Sequence, residues 1–222
     1  MVDVATRRGR RRARERLVAA AAYGAMGWPV CPGAHPPRTA AAPFGSGRAC
    51  SCDRVGCPDP GAHPLSPAWQ LQATVDTGVI TRWWLDRPDA NVLLVTGRVF
   101  DVLDVSAAAG RIALARLDQA GAETGPVAMC SPDRYLFFVA SRGAPVEEDE
   151  WWSCHLDCVP DSIADMPGLR WHCRDSYVLA PPSSHASGQQ VCWLRSPISR
   201  RLPDSLRVLP TLADACEEAG RR

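Results

Sequence analysis

Lysine is absent from all 222 residues, so every one of the 25 basic side chains is arginine. GC-rich coding accounts for that bias, and any phosphate contact here must then be made by guanidinium groups. A large charge excess is also missing. The formal net charge is +1, which excludes a global electrostatic drive toward nucleic acid. No apolar run approaches the roughly 18 residues of a membrane span, so no membrane role is expected. The stretch "LVAAAAYGAMGW" follows arginines as a leader's apolar region would, but it is alanine-rich and runs straight into "WPVCPGAHPP". It reads as a first helix, and the protein as cytoplasmic. What is present is ordinary for a soluble globular chain: 46% hydrophobic and 22% charged residues, enough for one sizeable core. The charge is uneven, since "TRRGRRRARER" helps place seven arginines in the first sixteen residues. These read as a disordered basic arm over 1–13, with salt-sensitive DNA affinity as the alternative.

Ten cysteines are many for a cytoplasmic chain, and three fall between positions 50 and 57. "CSCDRVGCPDPGAHP" contains Cys50, Cys52, Cys57 and His63 as C-x-C-x4-C-x5-H. Three thiolates and an imidazole satisfy a tetrahedral structural zinc ion. Gly56, Pro58, Pro60 and Gly61 let the chain wrap around it, and an ion explains how a loop with few apolar residues stays ordered. Free thiols or a redox pair are the alternative, although C-x-C spacing strains a disulfide. Cys31 and His35 are substitute ligands, but Cys31 reads better as a buried thiol in a strand. A second group, Cys154, His155 and Cys158 with His172 and Cys173, suggests another metal. If that last stretch is extended, neighbouring His172 and Cys173 face opposite ways, so only one joins easily.

The pattern along the chain predicts a helix over 14–26, a short buried strand in "WPVCP", and a long loop from 32 to 68. Asp76 caps a helix carrying Val79, Ile80, Trp83 and Trp84, which stops at Pro88. "ANVLLVTG" and "VFDVLDVS" read as a hairpin about Gly97-Arg98. A helix follows in "GRIALARLDQAGA" with Ile112, Leu114 and Leu117 inward. Then come a strand pair around Ser131–Asp133, an exposed acidic loop "GAPVEEDE", strands in "DSYVLAPPS" and "VCWLRS", and a last helix "TLADACEEAG". Helices mixed with antiparallel pairs indicate an α/β (α+β) class. The organisation expected is a single domain over 14–222 that includes a zinc loop at 45–66.

These segments, in this order, resemble the Prim-Pol family, the N-terminal domain of bifunctional DNA primase/polymerases. The likeness runs from about residue 17 to 196, through "AAAYGAMGWPVCP", the cysteine loop, "ATVDTGVITRWWLDRPDANVLLVTG", "VLDVS" and "YVLAPPSSHASGQQVCW". The resemblance implies a mixed sheet flanked by helices with a zinc-binding loop insertion. In active members it implies three carboxylates that hold divalent metal ions, with a histidine from a "GGxH"-like turn on the nucleotide. This chain departs at each place. Asp104 matches the first acid, but Ser106 stands at the second. Arg134 stands where the histidine would be, and Arg170 near the third acid. Asp175 offers a substitute acid only in another register. Magnesium needs oxygen ligands, usually with carboxylates, so a lost metal site is expected.

The expectation is therefore a catalytically inactive Prim-Pol-like protein that binds nucleic acid or nucleotide in a replication-related or regulatory role. Asp104 is a remnant of catalysis, Arg134 and Arg170 are candidate phosphate ligands, and Ser183 and His185 are candidate nucleotide contacts. Zinc is expected as a structural metal, and magnesium only in an active enzyme. Two alternatives stand: an active primase/polymerase using Asp104, Asp175 and Asp101, or a protein-interaction scaffold with a surface near Trp151 and Trp152 for a protein partner. No helicase segment follows, so less than a complete replication protein is expected.

Overall fold

The computed structural model describes residues 2–37, 49–52, 54, 56–141, 168–198 and 201–221. Among the described residues there are five helices and eight strands. They run α1 (Val2–Ala25), β1 (Val30–Gly33), α2 (Trp69–Gln72), α3 (Thr77–Asp86), β2 (Asn91–Val95), β3 (Phe100–Ser106) and α4 (Ala107–Gln119). Then come β4 (Val127–Ser131), β5 (Arg134–Ala140), β6 (Leu169–His172), β7 (Tyr177–Ala180), β8 (Cys192–Arg195) and α5 (Ser205–Gly220). The strands form a three-stranded sheet in the order β1-β2-β7 and a five-stranded sheet in the order β6-β3-β5-β4-β8. This mixed α/β architecture is the class expected. No described helix is long and apolar enough to cross a membrane. Trp151, Trp152, Cys154, His155, Cys158 and the acidic loop lie outside the described residues.

The chain divides into two compact units, Met1–Val95 with Leu179–Cys192, and Thr96–Val178 with Trp193–Arg222. In the first, β2 is buried along its whole length and pairs antiparallel with β1, Val30 opposite Leu94. Its unbroken apolar run suits a strand covered on both faces. α3 starts where Asp76 accepts hydrogen bonds from the amides of Gly78 and Val79 at 2.8 and 3.0 Å. It buries Ile80 and Trp84, and the Trp84 indole donates to the Ala90 carbonyl at 3.0 Å. Trp83 sits half-buried beside it. α1 begins at Val2 rather than at residue 14. Arginine and alanine are both strong helix formers, so the basic stretch continues the helix that the apolar stretch anchors.

In the second unit β3 is the inner strand between β5 and β6, with Asp104 opposite Leu136 on one side and Arg170 on the other. One face of this sheet carries Leu103, Val105, Tyr135, Phe137 and Trp171, packed on α4 and α5. α4 approaches so closely that a side chain at Gly110 would meet the Tyr135 ring at 2.5 Å. That explains a correction: its innermost positions are the small Ala109, Gly110 and Ala113 with Leu117, while Ile112 and Leu114 pack at the margin. α5 starts at Ser205, six residues before the expected "TLADACEEAG". Asp204 caps it, and Val208, Leu209, Leu212, Ala215 and Cys216 bury one continuous face across Pro210. That apolar face outweighs the one backbone bond that proline removes.

The expected hairpin of "ANVLLVTG" with "VFDVLDVS" is not formed; β2 and β3 belong to different sheets. Gly97 has φ +79°, and a side chain there would overlap the Arg174 backbone. The amide of Thr96 donates to Ser176 and its hydroxyl to the Cys173 carbonyl. Thr96 is thus held, within the second unit, by the turn after β6 before β3 begins.

Candidate functional site

Two groups of chemically active side chains stand out, one in each unit. In the first unit the ligand atoms of Cys50, Cys52, Cys57 and His63 all lie within 4.8 Å of one another. Tetrahedral zinc with Zn–S near 2.3 Å and Zn–N near 2.05 Å would separate sulfur from nitrogen by about 3.6 Å. The Cys50 Sγ to His63 Nε2 distance is 3.4 Å. His63 Nδ1 lies 2.9 Å from the Pro64 carbonyl, which places the ring proton on Nδ1 and leaves the Nε2 lone pair toward the sulfurs. The Gly61 amide donates to Cys50 Sγ at 3.3 Å. Burial raises the Cys52 thiol, but hydrogen bonds from the Arg54 backbone and the neighbouring ligands lower it to about 7. Burial pushes Cys57 up to about 11. This Cys3His group can hold a metal ion such as zinc. Cys31 stays in β1, and His35 turns its Nδ1 toward the Pro36 carbonyl; neither belongs to the cluster.

The loop is held by a residue that the sequence did not flag. Asn91, the only asparagine in the chain, is fully buried at the start of β2. Its amide donates to the Gly61 carbonyl at 2.7 Å and to the Ser184 carbonyl at 2.9 Å, and its oxygen accepts from the Ser184 amide at 2.9 Å. It thereby joins the cysteine loop to the "APPSSH" segment. Ser183 is equally buried. Its hydroxyl accepts from the Val92 amide at 2.8 Å and donates to the Val92 carbonyl at 3.2 Å, extending the pairing of β2. His185 is half-buried, and its Nδ1 accepts from the Ser187 amide at 3.2 Å, so Nε2 carries the proton. Arg16, inside the basic run, is buried and donates to Ser184 Oγ at 3.0 Å. Its i, i+4, i+7 spacing with Ala20 and Tyr23 was the available signal.

In the second unit, parity along β3 decides the site. Asp104 shares its face with Ser106, Arg134, Arg170 and His172, while Asp101 faces the helical side, where it accepts from the Trp171 indole at 3.3 Å. Asp104 is buried. Its Oδ1 accepts from Arg134 Nε at 2.7 Å, and His172 Nε2 lies 3.5 Å from Oδ2. Arg134 also donates to the Asp104 and Gly168 carbonyls. Burial alone would raise the Asp104 carboxyl; the His172 hydrogen bond and the Arg134 charge outweigh it and hold the group below the usual carboxylate range. His172 Nδ1 is in turn 3.0 Å from Ser176 Oγ. Arg170 is exposed. Ser106 caps α4, its hydroxyl accepting from the Ala109 amide at 3.2 Å. Asp175 has φ 60° on an exposed turn and pairs with Arg174. Among the described residues, no set of three acids, cysteines or histidines converges beside Asp104; the only such cluster is the Cys3His group.

The match to known families agrees with this layout. The model for the bifunctional DNA primase/polymerase N-terminal domain, Prim-Pol, matches residues 20–212. The chain belongs to the Prim-Pol family. No curated protein matches it. In this Prim-Pol domain Asp104 lies on β3, an inner strand of the five-stranded sheet, with Ser106, Arg134 and Arg170 around it. His172 was weighed from sequence only as a metal ligand, because its place beside Asp104 depends on the β3–β6 register.

Proposed function

We propose that this Prim-Pol domain does not carry out metal-dependent nucleotidyl transfer, and that in the cytoplasm it binds the phosphates of nucleic acid or nucleotide in a replication-related or regulatory role. The observation that carries this reading is the Asp104 carboxylate, engaged by Arg134 at 2.7 Å with His172 at 3.5 Å. A magnesium ion would have to displace a guanidinium and then sit beside Arg170. At an effective dielectric near 20, one such charge pair at about 4 Å is worth about 4 kcal/mol. The same face suits an anion. Asp104 offsets one arginine and leaves Arg170 exposed for a phosphate oxygen. Ser183 shapes its loop from within rather than touching ligand, whereas the Nε2–H of the half-buried His185 is a donor for a phosphate.

Zinc in the Cys3His group would tie down the cysteine loop, with Cys50, Cys52, Cys57 and His63 as ligands and a structural contribution only. The active-polymerase alternative loses support from parity, since Asp101 points to the opposite face from Asp104 and Asp175 is engaged by Arg174. Calorimetry on the zinc-loaded protein with a nucleoside triphosphate, with and without magnesium, separates the readings. Binding without the metal is expected. Binding that requires magnesium, or extension of a primer, would overturn the proposal. No binding in either condition would favour a protein-interaction scaffold.

A further inference from the structure

We infer that the N-terminal half of α1 is a second, separate nucleic-acid contact: an arginine rail for the phosphate backbone of duplex DNA. α1 is one continuous helix from Val2 to Ala25. Its buried side begins at Arg16 and continues through Ala20 and Tyr23, and the Tyr23 hydroxyl is anchored on the Pro181 carbonyl at 2.6 Å. At about 100° per residue, Arg7, Arg10, Arg11 and Arg14 fall within an arc of about 100° centred nearly opposite that buried side. All four are exposed. The core contacts of α1 therefore aim the arginines outward.

Residues 7–16 hold seven arginines and one glutamate, a local charge of +6 in a chain whose total is +1, so the remainder is net acidic. The one acid in the stretch, Glu15, pairs with Arg11 at 2.8 Å on a well-exposed surface, where such a pair is easily exchanged for another anion. At about 1.5 Å rise per residue the rail extends about 10 Å, a length over which duplex DNA presents about six phosphate charges. A helix presents these groups with less ordering cost than a flexible tail, because the backbone is fixed before binding. The rail lies outside the family match, which begins at residue 20. It also uses none of the residues around Asp104, so it stands or falls independently of the proposed function.

The test is fluorescence anisotropy of the full chain with a labelled 25-base-pair duplex of arbitrary sequence, between 50 and 200 mM salt. The comparison is a variant with Arg7, Arg10, Arg11 and Arg14 all changed to Gln, which preserves helix propensity. Four phosphate contacts contribute about −3.6 to the log–log salt slope. The wild-type chain should therefore lose affinity at least about a hundredfold over that range, and the variant should lose about 3 to 4 from the magnitude of the slope. Circular dichroism and a thermal melt check that the variant is folded. An Arg170→Gln variant keeps the rail and should change the slope by no more than about 1. The inference is overturned by an unchanged slope in the folded quadruple variant, by no duplex binding at 50 mM salt, or by binding confined to phosphatidylserine vesicles.

Discussion

Removing the Arg134 guanidinium tests the Asp104 cluster most directly. Arg134→Ala deletes the 2.7 Å contact to Oδ1 and the bond to the Asp104 carbonyl, leaving a carboxylate in a residue only 7% exposed, with His172 3.5 Å away. Breaking a buried pair from one side typically destabilises by about 3–5 kcal/mol. The Arg134 side chain is 27% exposed, so water reaches part of the gap, and His172 remains. About 2–3 kcal/mol is therefore expected. Urea unfolding followed by tryptophan fluorescence reads this through Trp171, buried in the same sheet. With a slope near 2 kcal/mol/M the midpoint should drop by about 1 M. Asp104→Asn alone should also destabilise, and the double variant should recover much of the loss, with a coupling near 2 kcal/mol. A midpoint change below about 0.3 M for Arg134→Ala, or simple additivity in the double variant, would refute the view that these groups neutralise each other. The pH dependence has a definite sign. Because the folded-state carboxyl of Asp104 lies below its ordinary value, its contribution is full above the normal carboxylate range. It is lost as pH falls through that range toward the lower folded value. Wild-type stability should therefore fall more steeply below about pH 4 than that of Asp104→Asn.

Rebuilding the acids with Ser106→Asp and Arg170→Asp changes the face by three charge units toward negative, and aspartate can still cap α4. Calorimetry should then detect manganese binding at least about tenfold tighter than in the parent, and no gain would argue against loss of acids as the cause of metal exclusion. Stripping metal with a chelator, or Cys57→Ala, should release about one zinc per chain and raise amide exchange through residues 49–64, while exchange in α4 and β3 stays unchanged. Asn91→Ala removes three buried hydrogen bonds and should destabilise by about 2–4 kcal/mol in thermal unfolding. Ser183→Ala removes two and should destabilise by about 1–3 kcal/mol on the same measure.

Much of the layout was legible because it depends on local chemistry. The spacing C-x-C-x4-C-x5-H named four side chains that converge, since a short loop rich in glycine and proline leaves them few places to go. Asp76 announced α3, and the apolar run of β2 announced a strand. Departures arose where distant segments compete for one backbone. Gly97 looked like a hairpin turn, yet β2 and β3 belong to different sheets. Pro210 looked like a barrier, yet an apolar face spanning it holds α5 together.

The sequence alone therefore determined the family, the C-x-C-x4-C-x5-H spacing that can hold a metal ion, and the presence of Ser106, Arg134 and Arg170 in the segments around Asp104, because each is a matter of residue type and short spacing. Only the tertiary structure decided which of these side chains meet. Strand register fixes which side chains share a face. It brings Arg134 and His172, some 30 and 68 residues beyond Asp104 in the chain, onto one buried carboxylate while sending Asp101 to the other side. No pattern confined to one segment contains that pairing.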